Sequence, residues 1–337
     1  MSRTNHQLRL AQRPVGQPKP TDWDHVEEPV GDPGDGEFLV QVLHLSIDPA
    51  MRGWMNAGRS YIPPVEIGAV MRAAAVGRVV ASRNPGFAVG DHVSGTFGVQ
   101  EYCLSNGRGV TTVDPALAAL PVHLGTLGLT GLTAYFGLLD IGRPQPGQTV
   151  VVSGAAGAVG SVVGQIAKIL GCRVVGIAGG ERKCRVLVDD FGFDAAIDYQ
   201  SEDVRSALRR HAPDGVDVYF DNVGGDILDA VLTRLARGAR IVICGAVSQY
   251  NNTEPVKGPS NYMSLLVNRA SMTGMVVFDY ADRYAEGIAQ LAEWLAAGRL
   301  RSLEHVVSGG VAAFPETLLG LFRGENLGKL VLTVVDE

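Results

Sequence analysis

Cysteine is scarce in this sequence, and no two cysteines are closely spaced. The 337 residues include only Cys103, Cys172, Cys184 and Cys244. None of them belongs to a C-x-x-C pair, so the spacing argues against a disulfide framework and against a structural zinc lobe. The sequence therefore favours reduced thiols in a cytoplasmic protein.

Long apolar runs and basic clusters are also missing. No apolar stretch is long enough to span a membrane, and the first six residues lack the apolar segment of a signal peptide. The formal net charge is −6, and no basic cluster is interleaved with aromatic residues. We therefore expect neither a membrane nor a nucleic acid as a partner.

Two contrasting patterns fill the chain, which is longer than the roughly 250–300 residues at which single cores stop growing. Up to about Leu129, short apolar stretches alternate with turns rich in glycine and proline, which is typical of a barrel-like all-β unit. After Gly131, strands and helices alternate regularly, which predicts a parallel, doubly wound sheet. β character returns near the end, at Leu330–Val335, and this tail is expected to fold back onto the first unit. The predicted domains are 1–129 with 298–337, and 130–297.

The alternating region predicts a specific series of elements from hydrophobic periodicity. The expected strands are Gln148–Ser153, Arg173–Ala178, Ala195–Ile197, Val216–Phe220, Arg240–Cys244 and Met272–Phe278. The expected helices are Ala158–Leu170, Arg182–Phe191, Glu202–His211, Ile227–Leu235 and Tyr284–Ala297.

A glycine-rich turn, Gly154–Gly160, follows the first of these strands and opens the first helix. Gly154 permits a tight turn, Gly157 lets the backbone approach a pyrophosphate, and Gly160 lets the helix pack on the strand. Phosphate would then sit on free N–H groups at the helix N-terminus. The spacing differs from G-x-G-x-x-G, so the alternative is a turn with only a packing role. The strand before it and the helix after it favour a dinucleotide site.

The end of the second strand indicates which dinucleotide is bound. NAD sites usually place an acid there to hold the ribose 2′-OH, but this strand ends in Gly179 and Gly180, followed by Glu181, Arg182 and Lys183. Small residues leave room, and cations neutralise a 2′-phosphate. We therefore predict NADPH, with Lys183 favoured over Arg182 as the phosphate ligand and Glu181 pointing away. The alternative for both cations is a solvated helix face.

The motifs as a set resemble those of a known family. The chain is similar to the zinc-free branch of the medium-chain dehydrogenase/reductase superfamily, which includes prostaglandin reductases, leukotriene dehydrogenases, alkenal double-bond reductases and curcumin reductases. The resemblance spans nearly the whole chain. It is carried by Arg13–Gly16, Ser46–Gly53, Gly128–Tyr135, Ser153–Gly160, Phe220–Gly225, Gly274–Val277 and Glu325–Lys329.

The resemblance implies both a fold and an activity. The fold is α/β, with a GroES-like β-barrel catalytic domain and a doubly wound Rossmann domain that binds NADP. The implied activity is NADPH-dependent reduction of the C=C bond of a small-molecule enone or enal. The family is often homodimeric through the edge strand of the Rossmann sheet, here about Met272–Phe278.

The resemblance also implies the roles of individual residues. Lys183 and Tyr199 would lie at the adenosine 2′-phosphate, and Thr130 near the nicotinamide amide. The path to the nicotinamide would be lined by Asn222, Cys244 and Gly245, and its end would be flanked by Phe278 and Asn326. With the turn and Gly180, the expected cofactor site is Thr130, Gly154, Ala156, Gly157, Ala158, Val159, Gly160, Gly180, Lys183, Tyr199, Asn222, Cys244, Gly245, Phe278 and Asn326.

The sequence departs from the family at two places. The family commonly has a bulkier residue where this chain has Ala50. Mammalian and plant members carry a tyrosine where Val267 stands, whereas Tyr262 lies five residues earlier, as in bacterial curcumin-reductase-like members. The identity of a proton-donating tyrosine therefore stays open.

The expected chemistry needs no metal. The segment 68–77, where zinc ligands would lie, has no His, Cys or Glu, and His44, His92 and His123 occur singly. Hydride addition to the β-carbon of a conjugated alkene places charge on an enolate oxygen, which a hydroxyl donor stabilises. That donor could be a tyrosine or the ribose 2′-OH, and the α-carbon proton could come from tyrosine or water. Tyr262 and Tyr61 are the candidate tyrosines, and the alternative for each is a rim tyrosine that only packs on substrate. Arg52 could bind an acidic substrate or brace its loop, and bracing is favoured because Asp48 is nearby in sequence.

Three alternative functions remain open at this point. Quinone reduction is an activity of the same superfamily. A non-catalytic NADPH-binding protein, like the crystallin relatives, belongs to a different functional class. A zinc alcohol dehydrogenase fits least well, because the expected ligand positions lack ligands.

Overall fold

The fold is taken from a computed structural model, which describes residues 3–335. Contacts divide the chain into two units, with boundaries at 125/126 and 303/304. The β unit combines the residues before the first boundary with those after the second, and the nucleotide unit is 126–303. Within the described residues, no helix is both long enough and apolar enough to cross a membrane.

Both units contain strands and α-helices, which are numbered here along the chain. The strands are β1 (Thr4–Leu10), β2 (Trp23–Pro29), β3 (Phe38–Ser46), β4 (Ala74–Ser82), β5 (His92–Thr96), β6 (Tyr102–Ser105), β7 (Thr111–Thr112), β8 (Thr149–Ser153), β9 (Arg173–Ala178), β10 (Ala195–Asp198), β11 (Val216–Asp221), β12 (Leu235–Ile243), β13 (Ser271–Gly274), β14 (Glu304–Ser308) and β15 (Lys329–Thr333). The α-helices are α1 (Ala50–Trp54), α2 (Leu129–Phe136), α3 (Ala158–Ile169), α4 (Glu181–Arg185), α5 (Val204–His211), α6 (Gly225–Leu232), α7 (Met263–Asn268), α8 (Tyr284–Ala296) and α9 (Phe314–Phe322).

The β unit is built on a seven-stranded sheet. Its order is β14-β15-β3-β4-β5-β7, and β6 pairs with β3. β15 runs antiparallel to β3, so the tail returns to the N-terminal sheet as the sequence predicts. Long apolar strands such as β3 fill the core, and α9 adds Phe314, whose ring meets Trp23 edge-on at 5.6 Å.

The nucleotide unit is a parallel sheet with order β10-β9-β8-β11-β12-β13. Consecutive strands β8, β9 and β10 extend the sheet in one direction, and β11, β12 and β13 extend it in the other. β8 is buried along its whole length, because a central parallel strand has both faces covered. The predicted parallel, doubly wound sheet is confirmed, and β8 and β11 meet at its topological switch point.

Several predicted elements differ in extent from those observed. The strand predicted at Met272–Phe278 ends at Gly274, and Phe278 lies in a 3₁₀ segment, Val277–Arg283. The reason is that its partner β12 ends at Ile243, whose carbonyl accepts the last ladder bond, from the Met275 N–H. The helix predicted over 182–191 is α4 followed by a π-helical segment, Val186–Asp190.

Candidate functional site

The glycine-rich turn connects β8 to α3 through four residues. Gly154 has a φ of +56°, which L-residues with a side chain rarely adopt, and its carbonyl accepts the Gly157 N–H at 3.0 Å. A Cβ on Gly160 would lie 2.4 Å from the Gly154 oxygen. Gly160 therefore lets the helix pack against the turn, rather than against the strand as the sequence suggests.

The N-terminus of α3 fits an anionic group. Gly157 is the N-cap, so no side chain caps the helix. The N–H groups of Ala158, Val159 and Gly160 have no acceptor within the helix, and the dipole of the 12-residue helix adds partial positive charge there. Together with the bare backbone of the turn, these donors match the phosphates of a dinucleotide.

The ends of β9 and β10 are joined through an acid that the sequence analysis did not single out. Asp198 Oδ1 accepts the N–H groups of Gly180 at 2.8 Å and of Gln200 at 3.0 Å. The bond from Gly180 is the largest cause that lowers the pKa of Asp198. A Cβ on Gly179 would lie 2.9 Å from the Tyr199 hydroxyl oxygen. The structure thus brings Gly180 and Tyr199 close together, just beyond the carboxyl ends of β9 and β10.

The charged residues of α4 occupy different environments. Lys183 is half-buried, and burial lowers the pKa of its ammonium group. Arg182 is exposed. Glu181 is also exposed, and its carboxylate lies 3.9 Å from the Arg185 guanidinium.

The turn that follows β11 is bonded to β8, and the turn that follows β12 is bonded to β11. Asn222 Nδ2 donates to the Ser153 carbonyl at 2.7 Å. The N–H groups of Cys244 and Gly245 donate to the Asp221 carbonyl at 2.9 and 3.1 Å. Burial raises the pKa of the Cys244 thiol to about 12, and the charge of Asp221 adds to this effect. The thiol is therefore neutral at physiological pH. The predicted residues Asn222, Cys244 and Gly245 lie together at the carboxyl ends of β11 and β12.

Tyr250 and Asp221 lie beside these residues, and the sequence analysis assigned no role to either of them. Tyr250 Oη accepts the Ala246 N–H at 3.2 Å, and a Cβ on Gly245 would lie 2.9 Å from the same oxygen. Asp221 is 1% exposed. The only signal in the sequence is an acid directly after the apolar run of β11.

Three further predicted residues of the nucleotide unit lie in or next to helical segments. Thr130 is half-buried in α2, and Phe278 is 40% exposed. Tyr262 directly precedes α7 and is 58% exposed.

Tyr61 lies on a loop of the β unit held by Arg72. The Arg72 guanidinium donates to the Pro63 carbonyl at 2.9 Å and lies 5.6 Å from the Trp54 ring centre. The Trp54 indole N–H approaches the Tyr61 oxygen at 3.4 Å. Tyr61 is 55% exposed, so the loop does not enclose its side chain.

Arg52 braces its surroundings as expected, but not through Asp48. It is buried and donates to the carbonyls of Pro14 and Gly16 and to Asn56 Oδ1. Asp48 instead accepts from the buried Lys329 ammonium at 2.7 Å. Arg52 therefore braces its surroundings as expected, but the expected partner, Asp48, is wrong.

Asn326 is buried, and its Nδ2 donates to the Gly328 carbonyl at 2.9 Å. The histidines also have local partners: His44 Nδ1 lies 3.2 Å from Thr333 Oγ1, and His123 Nε2 lies 3.3 Å from the Asp114 carbonyl. Within 3–335, no group of three or more His, Cys, Asp or Glu residues is arranged to hold a metal ion.

Comparisons with known proteins cover both units. A family model described as the N-terminal domain of oxidoreductase matches residues 6–113, and one described as zinc-binding dehydrogenase matches 158–294. The NADPH-dependent curcumin reductase of Escherichia coli is 41% identical, over 99% of this chain and 98% of the relative. The NADP(+)-dependent 2-alkenal reductase of Nicotiana tabacum is 39% identical, over 99% and 98%. The crystal structure of CurA from Vibrio vulnificus in complex with NADPH has a TM-score of 0.93 and 42% identity, over 98% of this chain and 100% of that one.

Proposed function

This chain belongs to the zinc-free branch of the medium-chain dehydrogenase/reductase superfamily, and we propose that it uses NADPH to reduce the C=C bond of α,β-unsaturated ketones and aldehydes. The observation that carries the proposal is the similarity to the curcumin reductase along both chains. The site supports the proposal. The N–H groups of the turn after β8 suit the pyrophosphate, and the half-buried Lys183 suits the 2′-phosphate.

The residues that hold NADPH come from several strand ends. The turn Gly154–Gly160, including Ala156, takes the pyrophosphate on its N–H groups, and Lys183 with Tyr199 takes the 2′-phosphate. Gly180 leaves space beside them. The nicotinamide end is held by Thr130, Asn222, Cys244, Gly245, Phe278 and Asn326. When bound, NADPH supplies the hydride that reaches the β-carbon.

The protein then has to stabilise a developing enolate and exclude water. A proton must afterwards reach the α-carbon, from a tyrosine hydroxyl or from water, to give the saturated product. An uncharged hydroxyl is suited to this task, because it donates a hydrogen bond to the oxygen as negative charge grows. Tyr262 and Tyr61 remain the proposed donors, and both are more than half exposed. Tyr250 is a third candidate, because its hydroxyl lies against Gly245.

The substrate class is tested by NADPH oxidation with a panel of 2-alkenals, 2-alkenones and a curcumin-like dienone at pH 7. We expect substrate-dependent loss of NADPH absorbance and a product saturated at the former double bond. A parallel panel of quinones is the control, and faster turnover of quinones than of every enone would favour quinone reduction. Tight NADPH binding without oxidation by any acceptor would indicate a non-catalytic protein.

The cofactor assignment is tested by Lys183→Ala. We expect NADPH affinity to fall about 10- to 100-fold, since a charge-assisted hydrogen bond is worth roughly 1.5–3 kcal/mol. NADH affinity should change little, because NADH lacks the 2′-phosphate. Arg182→Ala is the matched control on the neighbouring exposed position and should have the smaller effect. Equal losses for both cofactors in fluorescence titrations would refute the assignment of Lys183.

The proton donor is tested by changing each tyrosine to phenylalanine. The variant that lacks the donor should lose kcat about 10²-fold or more, because one acid–base group contributes about that much, while NADPH affinity stays near that of the wild type. The two other phenylalanine variants serve as controls. If all three keep kcat within about twofold, no tyrosine among Tyr61, Tyr250 and Tyr262 is the donor.

We also propose a homodimer through the free edge of β13. All four residues of this strand are exposed, and α7 carries the exposed apolar residues Met263, Leu266 and Val267. An uncovered strand edge next to apolar side chains is a surface that favours association. Light scattering should give twice the 35.6 kDa of one chain, and Met272→Lys should halve it. A monomeric wild type would refute this.

A further inference from the structure

Asp221 is a buried carboxylate stabilised by hydrogen bonds alone. It ends β11 and is 1% exposed, and no cation forms an ion pair with it in the part of the chain that the structure describes. Its Oδ1 accepts from Ser153 Oγ at 2.9 Å, Tyr219 Oη at 2.8 Å, and the N–H groups of Val223 and Gly224 at 3.0 and 2.9 Å. Four donors on one oxygen offset the cost of burying the charge.

The two hydroxyl donors have different further connections. Tyr219 is fully buried, and burial, followed by the charge of Asp221, raises its pKa well above the ordinary value. It therefore stays a proton donor at physiological pH. Ser153 Oγ, while donating to Asp221, also accepts the backbone N–H of Asn222 at 3.0 Å. Ser153 is thus the donor that connects the carboxylate to a turn.

This connection lies where a ligand binds in a doubly wound sheet. Ser153 directly precedes Gly154, and Asn222 directly follows Asp221. β8 and β11 are neighbours at the switch point, and ligands bind outside the carboxyl ends of the strands there. The carbonyl of Asp221 also accepts the N–H groups of Cys244 and Gly245. One residue thereby contacts the starts of three turns.

We propose that Asp221, acting through the Ser153 hydroxyl, is a positioning residue that fixes Asn222 and the Gly154 turn for NADPH. The inference rests on the proposed function for the identity of the cofactor. The buried carboxylate holds the serine in one orientation, and the serine then holds the backbone N–H of Asn222. Without this link, the Asn222 side chain still donates to the Ser153 carbonyl, but the Asn222 backbone N–H loses its acceptor and the turn after β11 is held less firmly.

The proposal is best tested on the donors rather than on Asp221 itself. Its Oδ2 is buried and accepts no hydrogen bond from the described residues. In Asp221→Asn, the amide group would therefore face either four donors or a site without an acceptor, and that variant would lose stability for either reason. Ser153→Ala and Tyr219→Phe form a matched pair, since each removes one hydroxyl from Oδ1. The two hydroxyls also lie within hydrogen-bonding range of each other, but of the two it is Ser153 that accepts the Asn222 N–H.

The experiment measures NADPH binding by the fluorescence of the bound reduced nicotinamide, together with thermal unfolding. We expect Ser153→Ala to weaken binding about tenfold and to shift the emission, since it removes a hydrogen bond to a charged group and the bond to Asn222. Tyr219→Phe should lower the melting temperature similarly and keep NADPH affinity within about twofold of the wild type. Ser153→Cys, with a weaker donor, replaces Ser153→Ala if the alanine variant does not fold.

Equal effects of the two variants on binding would overturn the proposal, and so would normal binding by Ser153→Ala. The readout does not depend on turnover. A wild type that binds NADPH but reduces no enone would therefore refute the proposed activity and leave this result valid. A wild type that does not bind NADPH would refute both. Where turnover is measurable, kcat of Ser153→Ala should fall while KM for the enone changes little.

Discussion

The pairing of β8 with β11 is the contact on which the nucleotide unit depends. These strands are parallel and in register from Val150 with Val218 to Val152 with Phe220, and the chain leaves them toward opposite halves of the sheet. The connections that leave their carboxyl ends therefore run in opposite directions and leave a crevice between them. The Gly154 turn and Asn222 lie on its two sides because of this pairing, although 68 residues separate Ser153 from Asp221.

Backbone geometry, rather than net charge, makes this crevice attractive to phosphate. The chain carries a formal charge of −6, yet the uncapped N–H groups of α3 present partial positive charge at one point. Glycine at 160 is required for this, since any Cβ would collide with the Gly154 oxygen at 2.4 Å. The close approach of Gly160 to the Gly154 carbonyl also packs the turn against the helix. The shape that we propose for phosphate binding and the packing of the turn therefore have one cause.

Local patterns predicted those features that local physics determines. Hydrophobic periodicity predicted α3 and β9 closely, and the glycine turn followed from the strand before it and the helix after it. The end of β13 was missed, because the end of its partner β12 determines it. The network of Asp221 and the pairing of Asp48 with Lys329, 281 residues away, join distant parts of the chain. Proximity in sequence pointed instead to Arg52 for the second of these.

We propose that the preference for a 2′-phosphate over a ribose hydroxyl follows from how two opposite charges are placed. β9 ends in two glycines, and the nearby acid Asp198 accepts backbone N–H groups from Gly180 and Gln200, so its charge is engaged by the backbone. Lys183 is half-buried, and burial disfavours its ammonium form. A phosphate beside it would restore the solvation that burial removes, and the desolvated amine therefore gains more from the anion than an exposed one would. Arg182, which remains in water, lacks this advantage.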